Sequence, residues 1–219
     1  MKNLPHLSRR ALLAAGVAAT ALIGKTRSSF AAREHEGKED VAGTVKRLKG
    51  AALAVRDALP RPLKVGEPVY IGDVLSTGAD ARLEVSMIDD GLFTLGERTS
   101  FVIIDYTFGG DGSPALRLLS GALNAATGAF TAKAGGMTVE SEVATIGIRG
   151  TKFWIGEIHD IMHVAHWSGG GLVVENKAGR VVLDGPDQGT EIAKATTQPS
   201  MPGPWPVDMI HTARSMTDF

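Results

Sequence analysis

The residues of this chain that could do chemistry begin with a group of histidines close together in sequence. His159, His163 and His166 lie near Asp160, and neutral imidazoles with a carboxylate are ligands that zinc accepts. His163 and His166 would share a face on a helix, but the surrounding residues predict a loop followed by a strand, which points them to opposite faces. We therefore expect exposed loop histidines here and no metal site.

Nucleophilic and acid–base catalysis find little support in the sequence. Ser168 lies near His166, but no orienting acid is evident and the chain has no Gly-x-Ser-x-Gly elbow. The adjacent carboxylates of Asp89 and Asp90 diverge on a strand or tight turn, so they suit turn capping better than proton transfer. The glycine-rich segment 109–112 lacks the Lys-Ser/Thr and the helix of a phosphate-binding loop. The sequence therefore predicts a protein that is not an enzyme and has no cofactor.

Three tryptophans are the remaining candidates, because exposed tryptophans can stack on sugars or anchor a partner protein. Trp154 is expected to pack in the core. Trp205, which lies among prolines, is expected to pin the C-terminal tail to the surface. Trp167, beside a run of glycines, is the candidate for a contact surface.

Short strands separated by glycine-centred turns must position all of these residues. From about residue 63 to 184, apolar and polar residues alternate in short runs, which places Leu83, Val85 and Met87 on one face of a strand. The strongest hairpin signal joins residues 172–175 to residues 180–183. Since no long 3.6-residue period occurs among these runs, the chain is predicted to be all-β, with sandwich, barrel and solenoid architectures open.

The segments on either side of residues 63–184 have a different composition. Residues 32–62 are interpreted as a spacer and lead-in segment, ambiguous between strands and a helical turn and closed by Pro60 and Pro62. Residues 185–219 are interpreted as a proline-rich tail with a short amphipathic helix. One side of that helix would carry Met209, Ile210, Ala213 and Met216.

The first 31 residues carry five basic residues and no acid, a composition typical of an export signal. Arg9 and Arg10 precede an uncharged run rich in Ala and Leu, and the surrounding residues 8–13 resemble a twin-arginine signal. Small residues near Ala31 predict cleavage after that position. An ordinary export signal with two chance arginines and an uncleaved anchor are the alternatives, and the apolar run is short for an anchor.

Charge and composition exclude several classes of protein. The formal net charge is −1, and cleavage would leave 18 basic against 24 acidic residues, so a strongly basic nucleic-acid binder is excluded. The chain has no cysteine, which excludes disulfides, thiolate metal sites and a cysteine nucleophile. No run approaches the roughly 20 apolar residues of a membrane-spanning helix, so no stable membrane span is expected after cleavage. We therefore expect a periplasmic protein exported by the twin-arginine route.

An ordered series of short motifs runs through residues 63 to 184 and ends at residues 144–151, with the sequence ATIGIRGT. The residues that carry the series are Gly66, Gly72, Asp73, Thr77, Gly78, Asp90, Gly91, Gly121, Gly147, Arg149, Gly150 and Thr151. In this order and spacing they resemble the FecR domain, a family named for a regulator of iron-citrate uptake. Residues 144–151 resemble the hallmark of that family.

Physical chemistry accounts for part of this pattern. Positive φ at chain reversals is expected at Gly72, Gly78, Gly91 and Gly121. Asp73 and Asp90 are expected to accept hydrogen bonds from backbone N–H groups in their turns. Arg149 is expected to be a structural clamp that binds neighbouring carbonyls or a carboxylate.

The resemblance implies a compact β-solenoid-like or β-sandwich domain with a protein-contact role in the periplasm. The leading hypothesis is a non-catalytic domain that binds an envelope protein through strand edges and glycine-rich loops, in envelope sensing or the regulation of uptake and signalling. We expect no sigma-factor segment, membrane span or receptor-facing domain of the kind that the best-known family members carry. A glycan- or small-ligand-binding envelope module is the alternative, and a metal-dependent hydrolase that uses the histidine group is a third.

Overall fold

A computed structural model describes residues 41–107, 113–129 and 136–219, and the predicted export signal lies outside these ranges. The described residues form strands and a short C-terminal helix, α1 (Val207–Thr217). In chain order the strands are β1 (Val41–Lys49), β2 (Ala52–Arg56), β3 (Leu59–Pro62), β4 (Pro68–Tyr70), β5 (Val74–Thr77), β6 (Arg82–Met87), β7 (Leu92–Leu95), β8 (Ser100–Asp105), β9 (Ala115–Ser120), β10 (Ala122–Ala126), β11 (Met137–Glu140), β12 (Thr145–Ile148), β13 (Thr151–Ile158), β14 (Ile161–Gly169), β15 (Leu172–Asn176), β16 (Gly179–Leu183), β17 (Gln188–Ile192) and β18 (Gly203–Pro204).

Two nine-stranded sheets contain these strands. The first sheet has the order β18-β17-β14-β13-β10-β7-β6-β1-β4, and the second has the order β16-β15-β12-β11-β9-β8-β5-β2-β3. The chain crosses from one sheet to the other after every one or two strands, and among the described pairs only β9 and β11 run parallel. Within the described residues, neither sheet closes on itself. The all-β prediction is confirmed, and the barrel alternative is wrong.

Alternating side chains of the two sheets form one apolar core. Leu83 and Val85 of β6 enter this core beside Phe93 of β7, while Leu75 of β5 and Phe101 of β8 enter it from the second sheet. The period-two pattern places one set of side chains inward and the other outward. The hairpin predicted around residues 176–179 is confirmed as β15 and β16.

The sheets extend past the predicted domain boundary of residues 63–184 on both sides. β1 lies between β4 and β6 in the first sheet, and β2 and β3 form a hairpin at one edge of the second. Residues 41–62 are therefore part of the fold rather than a lead-in segment. Their alternation is hard to recognise because the register of β1 shifts between Val45 and Arg47, and such an irregularity breaks the period-two pattern.

Helix α1 covers part of the outer face of the first sheet. It starts directly after Pro206, whose fixed φ and missing N–H suit a helix start. Ala213 is buried, and Met209, Ile210 and Met216 pack around it, as the sequence predicts. Within the described ranges, no helix has the length and apolar character needed to cross a membrane.

Candidate functional site

Asp73 anchors the turn between β4 and β5. Its Oδ2 accepts hydrogen bonds from the backbone N–H of Tyr70 and from Arg61, both at 2.9 Å, and Arg56 lies 3.9 Å from Oδ1. The side chain is 1% exposed, so these donors replace the water that a carboxylate would otherwise bind. The expectation that Asp73 accepts a turn N–H is confirmed, and its role is structural.

At the turn between β6 and β7, the buried carboxylate is Asp89 and not the expected Asp90. Oδ1 of Asp89 accepts hydrogen bonds from the backbone N–H of Gly91 at 3.2 Å and from the hydroxyl of Tyr106 at 2.9 Å. Asp90 is exposed and adopts a left-handed φ of 65°. Two adjacent aspartates alternate between the two faces, so the sequence did not reveal which one turns inward.

Buried threonine hydroxyls join the ends of neighbouring strands. Oγ1 of Thr77 donates to the carbonyl of Gly96 at 2.6 Å and accepts the N–H of Thr99 at 2.9 Å. Oγ1 of Thr151 lies 3.0 Å from the carbonyl oxygens of Arg149 and Gly171. These contacts satisfy backbone groups at strand ends, so the threonines stabilise the fold. The motif series did not include Thr99.

The glycines of the motif series fill two different needs. Gly72 and Gly121 adopt positive φ, as expected, and a Cβ at Gly121 would overlap Thr99. The same expectation is wrong for Gly78 and Gly91, which do not adopt positive φ. A Cβ at Gly91 would lie 3.0 Å from the carboxylate of Asp89, so this glycine permits a close approach rather than an unusual backbone conformation.

Arg149 lies at the surface between β12 and β13, so the expectation of a structural clamp is wrong. Its side chain is exposed and makes no hydrogen bond or salt bridge in the structure as described for residues 41–107, 113–129 and 136–219. The physical reason is the alternation of β12, in which Ile146 and Ile148 point into the core. Arg149 follows the last inward residue and therefore projects outward.

An open groove of about 360 Å³, which we call the Arg149 groove, crosses the outer face of the second sheet. Its floor follows one row of the register, in which Val182 of β16, Val173 of β15, Gly147 of β12 and Thr138 of β11 are neighbours. Gly147 has no side chain, so it leaves a depression in this row. Arg149 lies at the groove with its guanidinium available to a ligand. Sequence reasoning missed Val173, Val182 and Thr138, although a glycine inside a strand is a signal of close approach by another molecule.

The histidines do not form a metal site. His163 and His166 are buried on β14, and His159 lies exposed in the turn before it, so the expectation of exposed loop histidines holds only for His159. Nδ1 of His163 lies 2.8 Å from the carbonyl of Ile161, and Nδ1 of His166 lies 2.6 Å from that of Gly185. Within the part of the chain that the structure describes, no three potential ligands come together for a metal ion.

The three tryptophans lie together on the outer face of the first sheet. The ring centre of Trp205 lies 5.9 Å from the ring centre of Trp154 and 6.0 Å from that of Trp167. Trp154 is buried and Trp205 attaches the C-terminal segment, as expected. Trp167 is partly buried, because its indole N–H donates to Asn124 at 3.0 Å and Arg214 of α1 lies over its ring. It is therefore part of the packing of α1 rather than a free contact residue.

Comparisons with known proteins agree with this architecture. Residues 73–170 match the family described as FecR protein. Two crystal structures of a candidate anti-sigma factor from Parabacteroides distasonis ATCC 8503 are similar to this chain, each with a TM-score of 0.52 and 13% sequence identity. Each alignment covers 63% of this chain and 62% of that chain, so this chain matches about three fifths of that protein's length. No curated protein sequence matches the chain significantly.

The structural similarity of these neighbours supports a shared fold, and because the sequence identity is only 13%, it supports nothing more. The family match is more specific, because it covers the anchor at Asp73 and the hallmark residues 144–151 that line part of the Arg149 groove. Residues 73–170 of this chain therefore form a FecR domain.

Proposed function

We propose that this protein is a non-catalytic regulator that works by binding another protein in the periplasm, in envelope sensing or the regulation of uptake and signalling. Two observations support a regulatory role: the FecR domain of residues 73–170 and the fold shared with a candidate anti-sigma factor. Export by the twin-arginine-like signal of residues 1–31 would place the domain in the periplasm.

The exposure of Arg149 is the observation that carries the proposal. Other hallmark residues have structural roles, since the hydroxyl of Thr151 donates to a backbone carbonyl and Ile146 and Ile148 are buried in the core. The side chain of Arg149 has no hydrogen-bond or salt-bridge partner among the described residues. A guanidinium in this position offers planar donors to a carboxylate of another molecule.

The Arg149 groove supplies the second half of a protein-binding site. Val173 and Val182 provide apolar surface, and Gly147 leaves room for an incoming side chain. Protein interfaces combine such an apolar contact with arginines near it. The groove therefore fits an apolar side chain of a partner beside a carboxylate that binds Arg149.

The test is capture of partners by the tagged full chain after crosslinking in intact cells. We expect Arg149→Glu to abolish recovery of the partner, because it replaces the donor with a like charge facing the partner's carboxylate. Arg98→Glu is the matched control, since Arg98 is also exposed and lies outside the groove. Thermal melting of both variants must match the wild-type protein.

The outcomes separate the alternatives. Recovery of an envelope receptor or an inner-membrane regulator by the wild-type chain and by Arg98→Glu, but not by Arg149→Glu, supports the proposal. Equal recovery by all three proteins removes Arg149 from the interface. Retention of the wild-type chain by cell-wall material without any protein partner would instead favour a glycan-binding module.

A further inference from the structure

Among the described strands, four lie at sheet edges, and prolines block the edge at β3. The hairpin of β2 and β3 has a two-residue loop, and its pairing begins at Arg56 and Leu59. In such a hairpin the residue pair next to the loop exchanges two backbone hydrogen bonds. In the edge strand, the backbone N–H and C=O groups of every second residue therefore point away from the sheet, toward solvent. In β3 these outward positions are Pro60 and Pro62, which have no N–H to donate.

The two edges of the first sheet are also closed. On β4, the carbonyl of Pro68 accepts a hydrogen bond from Arg61 at 2.9 Å, and the N–H of Tyr70 donates to Asp73 at 2.9 Å. Side chains therefore already form hydrogen bonds with the backbone groups of β4 that an added strand would need. The opposite edge is β18, which has two residues, one of which is Pro204. Both edges follow the pattern by which proteins prevent unwanted strand pairing.

The edge at β16 has none of these devices. The hairpin of β15 and β16 also has a two-residue loop, and its pairing begins at Asn176 and Gly179. The same alternation places the backbone groups of Arg180 and Val182 at the open edge. Within the described ranges, no loop backbone or side chain forms a hydrogen bond with the backbone of either residue. β16 has five residues and no proline, so it can pair with another strand.

We propose that β16 accepts an extended segment of a partner protein as an added strand of the second sheet. This inference rests on the proposed protein-binding function and names the mode of binding. Main-chain hydrogen bonds of the added strand would form with Arg180 and Val182, as in other complexes built by strand addition. Val182 also lines the Arg149 groove, so the added strand continues the proposed binding surface.

The side chains of β16 define the chemistry of the segment. Val182 is 50% exposed on the outer face. Arg180 is exposed on the same face and lies opposite Glu175 of β15, but among the described residues no salt bridge joins the two. Residues directly opposite one another in neighbouring strands contact through their side chains. The segment therefore has an acidic residue opposite Arg180 and an apolar residue opposite Val182, two positions apart.

A second copy of this chain fits the edge less well. Two β16 strands related by twofold symmetry would place Arg180 opposite its own counterpart, opposite Val182 or opposite Asp184 of the other copy. The first arrangement opposes like charges, and the second leaves both arginines without a carboxylate. The third needs the backbone N–H of Asp184, which already donates to Gln188 at 3.1 Å. The edge therefore favours a different, acidic partner segment over self-association.

The experiment measures binding of labelled peptides to the full chain by fluorescence anisotropy. One peptide alternates valine and glutamate on one face with threonine on the other, and a second has lysine in place of glutamate. We expect the wild-type protein to prefer the glutamate peptide. Val182→Pro removes one outward N–H and should weaken this binding about ten-fold. Val182→Thr retains the N–H and a β-branched side chain, so the difference in affinity between the two variants isolates the contribution of that N–H.

Charge reversal and self-association complete the test. Arg180→Glu should shift the preference to the lysine peptide. Equal binding by Val182→Pro and Val182→Thr, or no peptide binding by the wild-type protein, would overturn the strand-addition inference. Concentration-dependent dimerisation that Val182→Pro abolishes would also overturn it, because the occupant would then be a second copy. Continued capture of a cellular partner by Val182→Pro, lost only in Arg149→Glu, would refute strand addition while leaving the proposed function intact.

Discussion

At the residue scale, the motif series divides into buried structural residues and an exposed arginine. Asp73, Thr77 and Thr151 are buried and form hydrogen bonds at strand ends. Arg149 is exposed, although it lies two residues from Thr151 in the same hallmark. A buried polar group must be satisfied within the protein, whereas an exposed guanidinium is satisfied by water until a partner binds. The two groups should therefore respond differently to substitution.

Asp73→Ala tests the buried anchor. It leaves the N–H of Tyr70 without an acceptor and two arginines without their carboxylate, so we expect it to lower the free energy of unfolding by about 2–3 kcal/mol. Denaturation in urea measures this loss. Glu67→Ala is the control, because the pair of Arg61 and Glu67 is partly exposed at 3.7 Å and should contribute less than about 0.5 kcal/mol. Equal effects of the two substitutions would contradict a structural role for Asp73.

The hallmark itself offers a second test. Thr151→Val removes a buried hydroxyl that contacts the carbonyls of Arg149 and Gly171, so we expect a loss of about 1–2 kcal/mol in stability. Arg149→Ala removes an exposed side chain and should change stability by no more than about 0.5 kcal/mol. Thermal melting compares the two variants. A large destabilisation by Arg149→Ala would restore the structural-clamp interpretation.

At the element scale, the C-terminal segment attaches to the first sheet through Trp205. Its indole lies directly over Gly189 of β17, where any Cβ would overlap the ring. The ring also meets His163 and two further tryptophans, so this contact determines how residues 203–217 pack on the sheet. The glycine at position 189 is thus a requirement of packing rather than of backbone conformation.

Gly189→Ala should displace Trp205 and lower the free energy of unfolding by roughly 1–3 kcal/mol, as overpacking in a closed site does. Gly203→Ala is a matched control, because Gly203 pairs with Gly189 across β17 and β18 and has open space around its Cβ position. A red shift of tryptophan emission and faster proteolysis of the tail would report the displacement. Identical spectra and stabilities for both variants would show that Trp205 does not hold the segment.

Elements with a regular hydrophobic period were predictable, and elements with interrupted periods were not. β6, the hairpin of β15 and β16, and α1 follow local alternation or helical spacing and lie where the sequence predicts them. β1 contains register shifts, and β3 contains two prolines at outward edge positions, so neither has the pattern of an ordinary strand.

At the scale of the whole molecule, the two sheets differ in what covers their outer faces. Helix α1 and the segment around Trp205 cover part of the first sheet. The second sheet has the Arg149 groove on its outer face and the open edge at β16. The proposed partner contacts therefore all lie on the second sheet, whereas the outer face of the first sheet is partly covered by the chain itself.

The export hypothesis concerns the whole protein and residues outside the described ranges. If residues 1–31 are a twin-arginine signal, the double substitution Arg9→Lys and Arg10→Lys should abolish recovery of the protein in the periplasmic fraction. Arg27→Lys, which changes a basic residue outside the pair, is the control and should be exported normally. The mass of the exported protein should correspond to a chain that begins at Ala32. Normal export of the double variant would favour the general export route.

The sequence by itself determined the strand-rich fold, the FecR resemblance and most turn positions, because alternation and turn chemistry act between residues that are near one another in the chain. It could not determine which of Asp89 and Asp90 is buried, or that His163 and His166 lie inside β14. Only the tertiary structure placed Gly147, Val173 and Val182 in one groove and left β16 as an open edge. These features depend on which strands become neighbours, and strand order joins residues that are far apart in sequence.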